Sequence, residues 1–529
     1  MKPGQVWRDA LSNRWGRIFL ALIAGAAAGL VHPPFNIWIG LIGYPVLMVL
    51  AERSATRRGA FGVGWLFGFA YFLIGCWWVA EAFLINPAQA WMAPFAASLL
   101  PAGIGLFTGA ASALYRAFKP VGIGRFILFA ALFSAFEFLR GHVLTGFPWN
   151  PVGASWFAGS APSQFAAVAG VYGLGLVTLL GVCGLAPLLA AKLTRATLIA
   201  SGVGLALLAM PTFYGLARLS GAKVEYSNVL VRLVQADVGQ ENKWTPEAYR
   251  DIVDRYIRLT TAPAPRMPDV VVWPESALPN LANNVFAGPE ADLMASALQP
   301  GQTLLAGLSR AEATQDGHTV YYNSLFELVR EPQGLRIGQV YDKHRLVPFG
   351  EYLPLGKLMG QIGIRSLVHM PADISAGPAP ASISSALLPP VQPLICYESL
   401  FPGFTDGREA TRPAWIVNVS NDAWFGQTSG PLQHLNLASF RAIETGLPVA
   451  RATPTGVSAM VDPFGRVVAG SRIAAGEARF SDVLLPLPQP ATVYGRTGDA
   501  PYLICLSLLI FVSLAYLRFA RSQTAKGRV

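Results

Sequence analysis

The sequence contains few charged residues. Asp, Glu, Lys and Arg make up 13% of its 529 residues, whereas a soluble globular domain carries about 25%. Hydrophobic residues account for 53% of the chain and are concentrated before residue 219 and again from Tyr502 to Phe519. This composition excludes a wholly soluble protein and predicts a chain that spans a membrane. The mixed, polar segment between the two apolar regions is long enough for one sizeable globular domain.

Cysteine is scarce as well. The chain has four cysteines, and Cys396 is the only one in the polar segment, which excludes a disulfide framework there. The other three lie in apolar runs, where cysteine is usually an inert packing residue: Cys76, Cys183 and Cys505. The six histidines are scattered, and none makes a zinc-like cluster with Cys396. Because the sequence also lacks a Walker loop and a nucleotide fingerprint, we expect no metal and no cofactor.

The formal net charge of +10 does not indicate a nucleic-acid partner. The arginines and lysines cluster at the ends of apolar segments, where such residues orient membrane helices. All of these clusters fall on one side of the membrane if seven spans precede the polar domain and one follows it. We therefore expect both termini in the cytoplasm and the polar domain outside it. The expected parts are a transmembrane bundle over 1–219, a globular domain over 220–497, and a last helix with a short tail over 498–529.

Eight apolar runs approach the about 20 residues that a bilayer-spanning helix needs. They are Arg17–Val31, Ile37–Ala51, Gly59–Leu84, Trp91–Tyr115, Val121–Leu139, Gln164–Ala191, Ala196–Leu216 and Pro501–Phe519. The first two are short and fit a re-entrant or tilted pair as well as two full spans. Glycines spaced four residues apart predict close packing of these helices, and the pairs are Gly25–Gly29, Gly64–Gly68 and Gly105–Gly109.

The loop Gly141–Gly153 follows the fifth predicted span and contains Trp149. A tryptophan at a membrane interface is most often an anchor in the aromatic belt. A contact with a lipid substrate is the alternative interpretation of Trp149.

Polar residues follow four apolar, strand-like runs of the polar domain. They are Glu275 after Asp269–Trp273, Lys343 after Ile337–Tyr341, Cys396 after Val391–Ile395, and the tract Ser420–Gly426 after Trp415–Val419. Apolar runs without alternation are typical of strands buried on both faces. Sites in open α/β sheets gather at the carboxyl ends of strands. We therefore expect Glu275, Lys343 and Cys396 to converge, although they are far apart in the sequence.

These three residue types are suited to nucleophilic catalysis. Cys396 can attack a carbonyl carbon and become a thioester. Glu275 can take the thiol proton and later return it to a leaving group. Lys343 supplies a fixed positive charge for a thiolate and for the oxyanion that develops on the carbonyl. A strand-end Glu or Lys alone is usually a surface charge, so the prediction depends on all three together.

The residues around this trio resemble the carbon–nitrogen hydrolase (nitrilase) superfamily. The motifs are Trp-Pro-Glu-Ser at 273–276, Asp-Lys-His-Arg-Leu-Val-Pro-Phe-Gly-Glu at 342–351 and Cys-Tyr-Glu at 396–398. Seven apolar spans before the domain and one after it are similar to those of a specific branch, the bacterial apolipoprotein N-acyltransferases. The resemblance covers essentially the whole chain, including the tracts 144–149, 418–426, 433–434 and 441–442.

The resemblance implies a polytopic helical bundle of about eight spans in the bacterial inner membrane. It also implies an extracytoplasmic, nitrilase-like α/β domain with an αββα sandwich on the periplasmic face. The implied activity moves an acyl chain from a phospholipid donor to the α-amine of the diacylglyceryl-modified N-terminal cysteine of an apolipoprotein acceptor. Between the two half-reactions the acyl group would remain on Cys396 as a thioester. We expect a monomer that acts at the membrane without a nucleic-acid partner.

The same resemblance implies supporting residues in the polar domain. They are Glu351, which would orient Lys343 or support Glu275; Tyr397 and Glu398, which would shape the pocket beside the thiol; Trp244, in a loop near the substrate; and Asn323. Asn323 is the weaker candidate, because an asparagine that caps a turn is common.

Two features leave alternatives open. The stretch Arg345–Ala381 is long, irregular and rich in Gly, Pro, Leu and Met, which indicates either a lid over the site or a structural insertion. The trio itself also fits a membrane-tethered amidase or nitrilase that uses water as the acceptor. A transporter with an external sensing domain is the third function class, and the few ionisable residues within the spans argue against it.

Overall fold

The computed structural model describes residues 11–189, 194–241, 243, 245–354, 373–404 and 412–526. The chain divides into two compact units. The helical unit comprises Met1–Ala222 and Thr497–Val529, and the α/β unit comprises Lys223–Arg496. All strands of the described residues belong to the α/β unit.

The helices are distributed over both units. The helical unit contains α1 to α8 and α14, and the α/β unit contains α9 to α13. In chain order they are α1 (Arg14–Gly29), α2 (Gly43–Arg53), α3 (Arg57–Cys76), α4 (Glu81–Leu84), α5 (Ala93–Ala117), α6 (Gly124–Arg140), α7 (Ala166–Gly184), α8 (Arg195–Ser220), α9 (Pro246–Thr260), α10 (Ala282–Ala287), α11 (Pro289–Ala297), α12 (Gly430–Thr445), α13 (Val493–Thr497) and α14 (Ala500–Lys526). Side-chain caps fix the starts of α1, α3 and α8, where Asn13, Thr56 and Thr194 accept a backbone N–H of the first turn.

Five helices of the described residues are long and apolar enough to cross a membrane. With the short turns that extend them, they are Arg57–Leu84, Pro87–Ala117, Pro162–Leu188, Arg195–Ser220 and Ala500–Phe519. The sequence predicted eight spans, so the predicted number is not confirmed.

The three remaining predicted spans are helical but short. Helices α1, α2 and α6 have 16, 11 and 17 residues. Because an α-helix rises about 1.5 Å per residue, even the longest of them covers about 25 Å, less than the about 30 Å of a bilayer core. The apolar runs at 17–31 and 37–51 include turn residues that the helices do not continue through, which hydropathy alone does not detect.

The glycine spacing predicted close helix packing in the helical unit, and the structure confirms it. A Cβ at Gly64 of α3 would lie 2.6 Å from the carbonyl oxygen of Thr108 in α5. A Cβ at Gly105 of α5 would lie 3.0 Å from the backbone nitrogen of Phe69 in α3. Gly25 of α1 has no room for a side chain either, because the carbonyl of Phe67 faces it. These helices touch backbone to backbone, which is how small residues bring membrane helices together.

Two sheets form the α/β unit. The six-stranded sheet has the order β10-β1-β2-β3-β4-β5, and the four-stranded sheet has the order β6-β7-β8-β9. Strands β1, β2 and β3 are parallel to one another, as are β6, β7 and β8, and the other pairs are antiparallel. The strands are β1 (Tyr226–Gln235), β2 (Val270–Trp273), β3 (Thr303–Ala313), β4 (Thr319–Glu331), β5 (Gly334–Asp342), β6 (Val391–Ile395), β7 (Trp415–Val419), β8 (Val449–Ala452), β9 (Ala459–Val461) and β10 (Arg479–Pro486).

The two sheets pack face to face. Their shared core joins Leu233 and Val272 of the six-stranded sheet to Ile395 and Val417 of the four-stranded sheet. Helices α9 and α11 cover the outer face of the six-stranded sheet, and α12 covers the outer face of the four-stranded sheet. The resulting layer order is helix, sheet, sheet, helix, as the family resemblance implied.

The predicted strands are present, but one of them is not buried. Strands β2, β6 and β7 are buried along their whole length, in agreement with their unbroken apolar sequence. Strand β5 is the edge strand of its sheet, and its Ile337 and Val340 are 45% and 39% exposed. The prediction of burial on both faces was therefore wrong for β5, because the strand order and not the local sequence decides which strand lies at an edge.

The close contact at Gly64 gives a stability prediction. Gly64→Ala should destabilise the helical unit by about 1–3 kcal/mol, because the added methyl group overpacks the contact with α5. The measurement is the thermal unfolding midpoint of the purified protein in detergent. Gly62→Ala is the matched control, since a Cβ at Gly62 of the same helix meets no atom within 4 Å. Equal midpoints for the two variants would contradict the close contact.

Candidate active site

The carboxyl ends of three strands bring the predicted trio together. Glu275 follows β2, Lys343 follows β5 and Cys396 follows β6. The Nζ atom of Lys343 lies 3.3 Å from Oε1 of Glu275, and the charges of both residues act on the thiol of Cys396. The structure thus places together three side chains that are separated by up to 121 positions in the sequence.

Lys343 is a buried cation between two carboxylates. Its side chain is 1% exposed, and Nζ also lies 2.9 Å from Oε1 of Glu351. Burial disfavours the charged lysine, but Glu275 and Glu351 outweigh this effect and raise the pKa of Lys343 above its ordinary value. Lys343 therefore remains an ammonium ion throughout the physiological pH range.

Asn323 joins the two carboxylates beside Lys343. Its Nδ2 atom donates to Oε1 of Glu275 at 2.6 Å and to Oε1 of Glu351 at 3.0 Å. Asn323 lies within β4 and is not in a turn, so the turn-capping interpretation was wrong. Glu351 accepts a further hydrogen bond at 2.8 Å from the backbone nitrogen of Val347, which fixes its second oxygen.

One oxygen of Glu275 is left without such a contact. Glu275 is 5% exposed, and its Oε1 accepts from both Lys343 and Asn323. Its Oε2 is buried and has no hydrogen-bond partner among the residues that the structure describes. A buried carboxylate oxygen that accepts no hydrogen bond costs free energy on folding, unless a proton binds to it. This geometry suits a general base that receives a proton at Oε2.

Cys396 is a thiol at rest. Burial raises the pKa of Cys396 to about 12, and the charge of Glu275 acts in the same direction. Lys343, the hydroxyl of Ser420 and the backbone N–H of Asn421 oppose this shift. The sequence interpretation gave Lys343 the task of stabilising a thiolate, but in this surrounding the resting sulfur keeps its proton. Attack by Cys396 therefore requires a base, which makes the position of Glu275 decisive.

Glu398 connects the ends of β5 and β6. Its Oε1 accepts from the hydroxyl of Tyr341 at 2.8 Å and from the backbone nitrogens of His344 and Arg345 at 2.7 and 3.1 Å. Its Oε2 accepts from the backbone nitrogen of Ile395 at 2.7 Å. Burial raises the pKa of Glu398 to about 7, although these hydrogen bonds oppose the shift. Both carboxylate oxygens of Glu398 therefore accept hydrogen bonds, and these hold Lys343 and Cys396 at the ends of β5 and β6.

The remaining predicted residues lie in different places. Tyr397 is 6% exposed and packs edge-on against Phe401, with ring centroids 5.1 Å apart. Trp149 belongs to the helical unit, where it is 2% exposed and packs on Trp78 at 4.5 Å. An anchor in the aromatic belt would be exposed, so the burial of Trp149 does not fit that interpretation. A contact of Trp149 with a lipid substrate stays a prediction. Trp244 lies outside the described residues, as do residues 355–372 of the predicted lid.

Lys243 is a buried residue that the sequence interpretation did not single out. It is 2% exposed, and its Nζ donates to the carbonyl oxygen of Ser276 at 2.7 Å. Burial lowers the pKa of Lys243 to about 8, while the charge of Glu275 acts in the opposite direction. Ser276 follows Glu275 with a positive φ of 47°, so Lys243 holds a strained turn beside the base. A lysine in a polar loop reads as a surface charge, and no local signal marks its burial.

A second missed group lies beside Cys396. Asp422, His434 and Arg451 are each at most 1% exposed, and Asp422 contacts both of the others. The polar tract after β7 and the pair Gln433–His434 were recognised only as parts of a family motif. Among the described residues, no group of three or more His, Cys, Asp or Glu side chains is arranged to hold a metal ion.

The raised pKa of Cys396 predicts how its alkylation depends on pH. A free cysteine has a pKa of about 8.5, so its alkylation rate levels off above that pH. In the folded protein the rate for Cys396 should continue to rise past pH 10, because deprotonation is shifted toward about pH 12. The measurement is the rate of iodoacetamide labelling of the Cys396 peptide by mass spectrometry. The urea-unfolded protein is the control, and a plateau near pH 8.5 in the folded protein would contradict the thiol resting state.

Two family matches cover most of the chain. Residues 24–186 match the apolipoprotein N-acyltransferase N-terminal domain, and residues 230–476 match the carbon–nitrogen hydrolase family. Among solved structures, that of Saccharomyces cerevisiae Nit3, a member of branch 10 of the nitrilase superfamily, aligns with a TM-score of 0.35 and 18% identity. This alignment covers 49% of the present chain and 90% of the yeast chain.

Relatives of similar length align with almost the whole chain. The apolipoprotein N-acyltransferase of Caulobacter vibrioides is 46% identical over 516 residues, which cover 96% of both chains. The apolipoprotein N-acyltransferase of Rhodopseudomonas palustris is 37% identical over 521 residues, which cover 94% of this chain and 95% of that one. Because full-length relatives at this identity share one name and both family matches agree with it, the chain belongs to the apolipoprotein N-acyltransferase family of the carbon–nitrogen hydrolase superfamily.

Proposed function

We propose that this protein transfers an acyl chain from a phospholipid to the α-amine of the diacylglyceryl-modified N-terminal cysteine of an apolipoprotein. The observation that carries the proposal is the arrangement of Glu275, Lys343 and Cys396 after the ends of β2, β5 and β6, with one oxygen of Glu275 left unpartnered among the described residues. Family membership supports the choice of acceptor, since the relatives carry the name of this activity.

In the first half-reaction, Cys396 attacks the ester carbonyl of the phospholipid. Oε2 of Glu275 takes the thiol proton as the carbon–sulfur bond forms. The ammonium of Lys343 stabilises the oxyanion on the former carbonyl oxygen, because it carries its charge at all relevant pH values. The carbon–oxygen ester bond then breaks, and Glu275 returns the proton to the leaving alcohol. The products are a lysophospholipid and an acyl thioester on Cys396.

In the second half-reaction, the apolipoprotein amine attacks the thioester. The amine loses a proton to Glu275 as the carbon–nitrogen bond forms, and the carbon–sulfur bond then breaks. The proton returns to the sulfur of Cys396, which restores the resting thiol. A thioester suits this step because it reacts with amines readily, and a site shielded from water limits hydrolysis.

The membrane arrangement follows from the charge of the helix ends. We propose that the catalytic unit lies on the periplasmic face of the bacterial inner membrane, with both termini in the cytoplasm, because basic residues flank the helices as the positive-inside rule requires. Four long helices before the catalytic unit return the chain to its starting side. The proposed topology therefore needs one or all three of the shorter helices α1, α2 and α6 to cross as well.

We propose that the protein acts as a monomer.

The proposal predicts how phospholipid turnover depends on the acceptor. Purified protein with labelled phospholipid alone should release about one equivalent of lysophospholipid and then stall, because the thioester awaits an amine. Adding a diacylglyceryl lipopeptide with a free N-terminus should restart turnover and produce an amide. Both products are quantified by chromatography and mass spectrometry.

Two serine variants complete this test. Cys396→Ser should abolish transfer, because the hydroxyl is a weaker nucleophile and its ester reacts poorly with amines. Cys505→Ser makes the same change at an exposed position of α14 and should retain full activity. Continuous release of lysophospholipid and free fatty acid without acceptor would instead identify a hydrolase that uses water. Transfer by Cys396→Ser at the wild-type rate would remove Cys396 from the reaction.

A further inference from the structure

A buried ionic cluster lies at the ends of β6, β7 and β8, and the proposed reaction does not use it. Asp422, His434 and Arg451 are 1%, 1% and 0% exposed. Charged side chains are rarely buried to this degree unless they are paired and hydrogen-bonded, because desolvation costs several kcal/mol per ion. The cluster lies next to the nucleophile, because Ile395 before Cys396 pairs with Val419 in the neighbouring strand, three residues before Asp422.

Asp422 is the centre of the cluster. Its two oxygens lie 2.9 and 2.7 Å from Nη2 of Arg451, and Oδ1 also accepts from the hydroxyl of Ser420 at 2.9 Å. Nδ1 of His434 is 2.9 Å from Oδ1. Although burial acts against the charge, Arg451 and His434 outweigh it and lower the pKa of Asp422. Asp422 is therefore ionised and anchors both partners.

His434 connects Asp422 to the turn Cys396–Leu400, which we call the nucleophile turn. Burial and the charge of Arg451 lower the pKa of His434, so the ring is neutral near pH 7. A carboxylate beside Nδ1 places the ring proton there, which leaves Nε2 as an acceptor. Nε2 lies 3.0 Å from the hydroxyl of Ser399 and 3.2 Å from the carbonyl oxygen of Cys396, and Ser399 also donates to that carbonyl at 2.8 Å. The hydroxyl of Ser399 therefore has two acceptors for its single proton, Nε2 and the Cys396 carbonyl, and it links the ring of His434 to the turn.

The nucleophile turn needs such support. Cys396 has a φ of 50°, a left-handed conformation that costs a residue with a side chain about 1–3 kcal/mol. Such conformations persist only where surrounding contacts fix them. The left-handed conformation of Cys396 directs its sulfur toward Glu275 and Lys343. Relaxation of the turn would therefore move Sγ away from both residues.

Arg451 supports the other side of the nucleophile as well. Its Nη1 hydrogen-bonds to Oδ1 of Asn418. Nδ2 of Asn418 in turn donates at 2.9 Å to the carbonyl oxygen of Leu394, two residues before Cys396. The cluster therefore contacts the backbone at Leu394 through Asn418 and at Cys396 through His434 and Ser399.

We propose that Arg451, Asp422 and His434 form a positioning chain that holds the strained turn of Cys396 so that its sulfur meets Glu275 and Lys343. The proposal rests on the proposed function, in which Cys396 is the nucleophile. None of the three residues contacts the reacting atoms in this scheme, so they act through the backbone of Cys396 and are not catalytic residues.

The test compares two matched Asp→Asn changes. Asp422→Asn removes the anchor of the chain, whereas Asp462→Asn alters another buried aspartate, which pairs with the partly exposed Arg466 and whose contacts stay within its own turn. Asp422→Asn should slow acyl-enzyme formation about 100-fold, the loss typical of misplaced reacting groups, with the phospholipid KM within about twofold of wild type. Asp462→Asn should keep the wild-type rate. Single-turnover release of lysophospholipid measures both.

Two further measurements make the result decisive. Iodoacetamide labelling of Cys396 at pH 7 should change at least about tenfold in Asp422→Asn, because the displaced thiol leaves the charges of Glu275 and Lys343 that act on its pKa, and this readout needs no phospholipid. It therefore tests the chain even if the proposed acyl transfer fails in the wild-type protein. Where Asp422→Asn does not fold, Ser399→Ala removes a single oxygen and should slow acyl-enzyme formation about tenfold and also change the labelling rate. Wild-type rates in Ser399→Ala, or equal rates in the two Asp→Asn variants, would overturn the proposal.

Discussion

The candidate site depends on one buried cation. Lys343 lies between Glu275 and Glu351 at 3.3 and 2.9 Å with 1% of its side chain exposed. Removing one partner from a buried ion pair costs about 3–5 kcal/mol, because it leaves an uncompensated charge. Loss of Lys343 would leave two neighbouring carboxylates without a cation. Asn323 donates to both carboxylates and allows them to approach the same ammonium. The consequence is a base with one occupied oxygen and one oxygen available for a proton.

Further buried contacts hold Cys396, the proposed nucleophile. Cys396 has a left-handed backbone conformation, and two sets of buried polar contacts surround it. Glu398 fixes the backbone on the side of β5, while the chain from Arg451 through Asp422 and His434 reaches the carbonyl of Cys396 on the side of β7 and β8. In the proposed reaction, the sulfur of Cys396 first attacks a carbonyl and then presents the acyl group to an amine. A rigid turn serves both steps because the sulfur keeps one position.

The sequence was sufficient for features that have a local pattern. A polar residue that ends a buried apolar strand marks Glu275 and Cys396, and the topology of α/β sheets explains why they meet. The buried positions of Lys243 and His434 could not be predicted, because each is enclosed by segments distant in the sequence. The exposure of β5 and the burial of Trp149 were missed for the same reason. Sheet order decides the exposure of β5, and helix packing decides the burial of Trp149. A short stretch of sequence contains neither.

The central claim is that Cys396 carries the acyl chain between the two substrates. Mass spectrometry of the Cys396 peptide, after the protein has been incubated with a phospholipid of defined chains and no acceptor, tests this claim most directly. The account predicts that the peptide gains the mass of one acyl group, that hydroxylamine removes it, and that a lipopeptide amine discharges it. Lysophospholipid release with Cys396 unmodified, or an acyl group on another residue, would contradict the account.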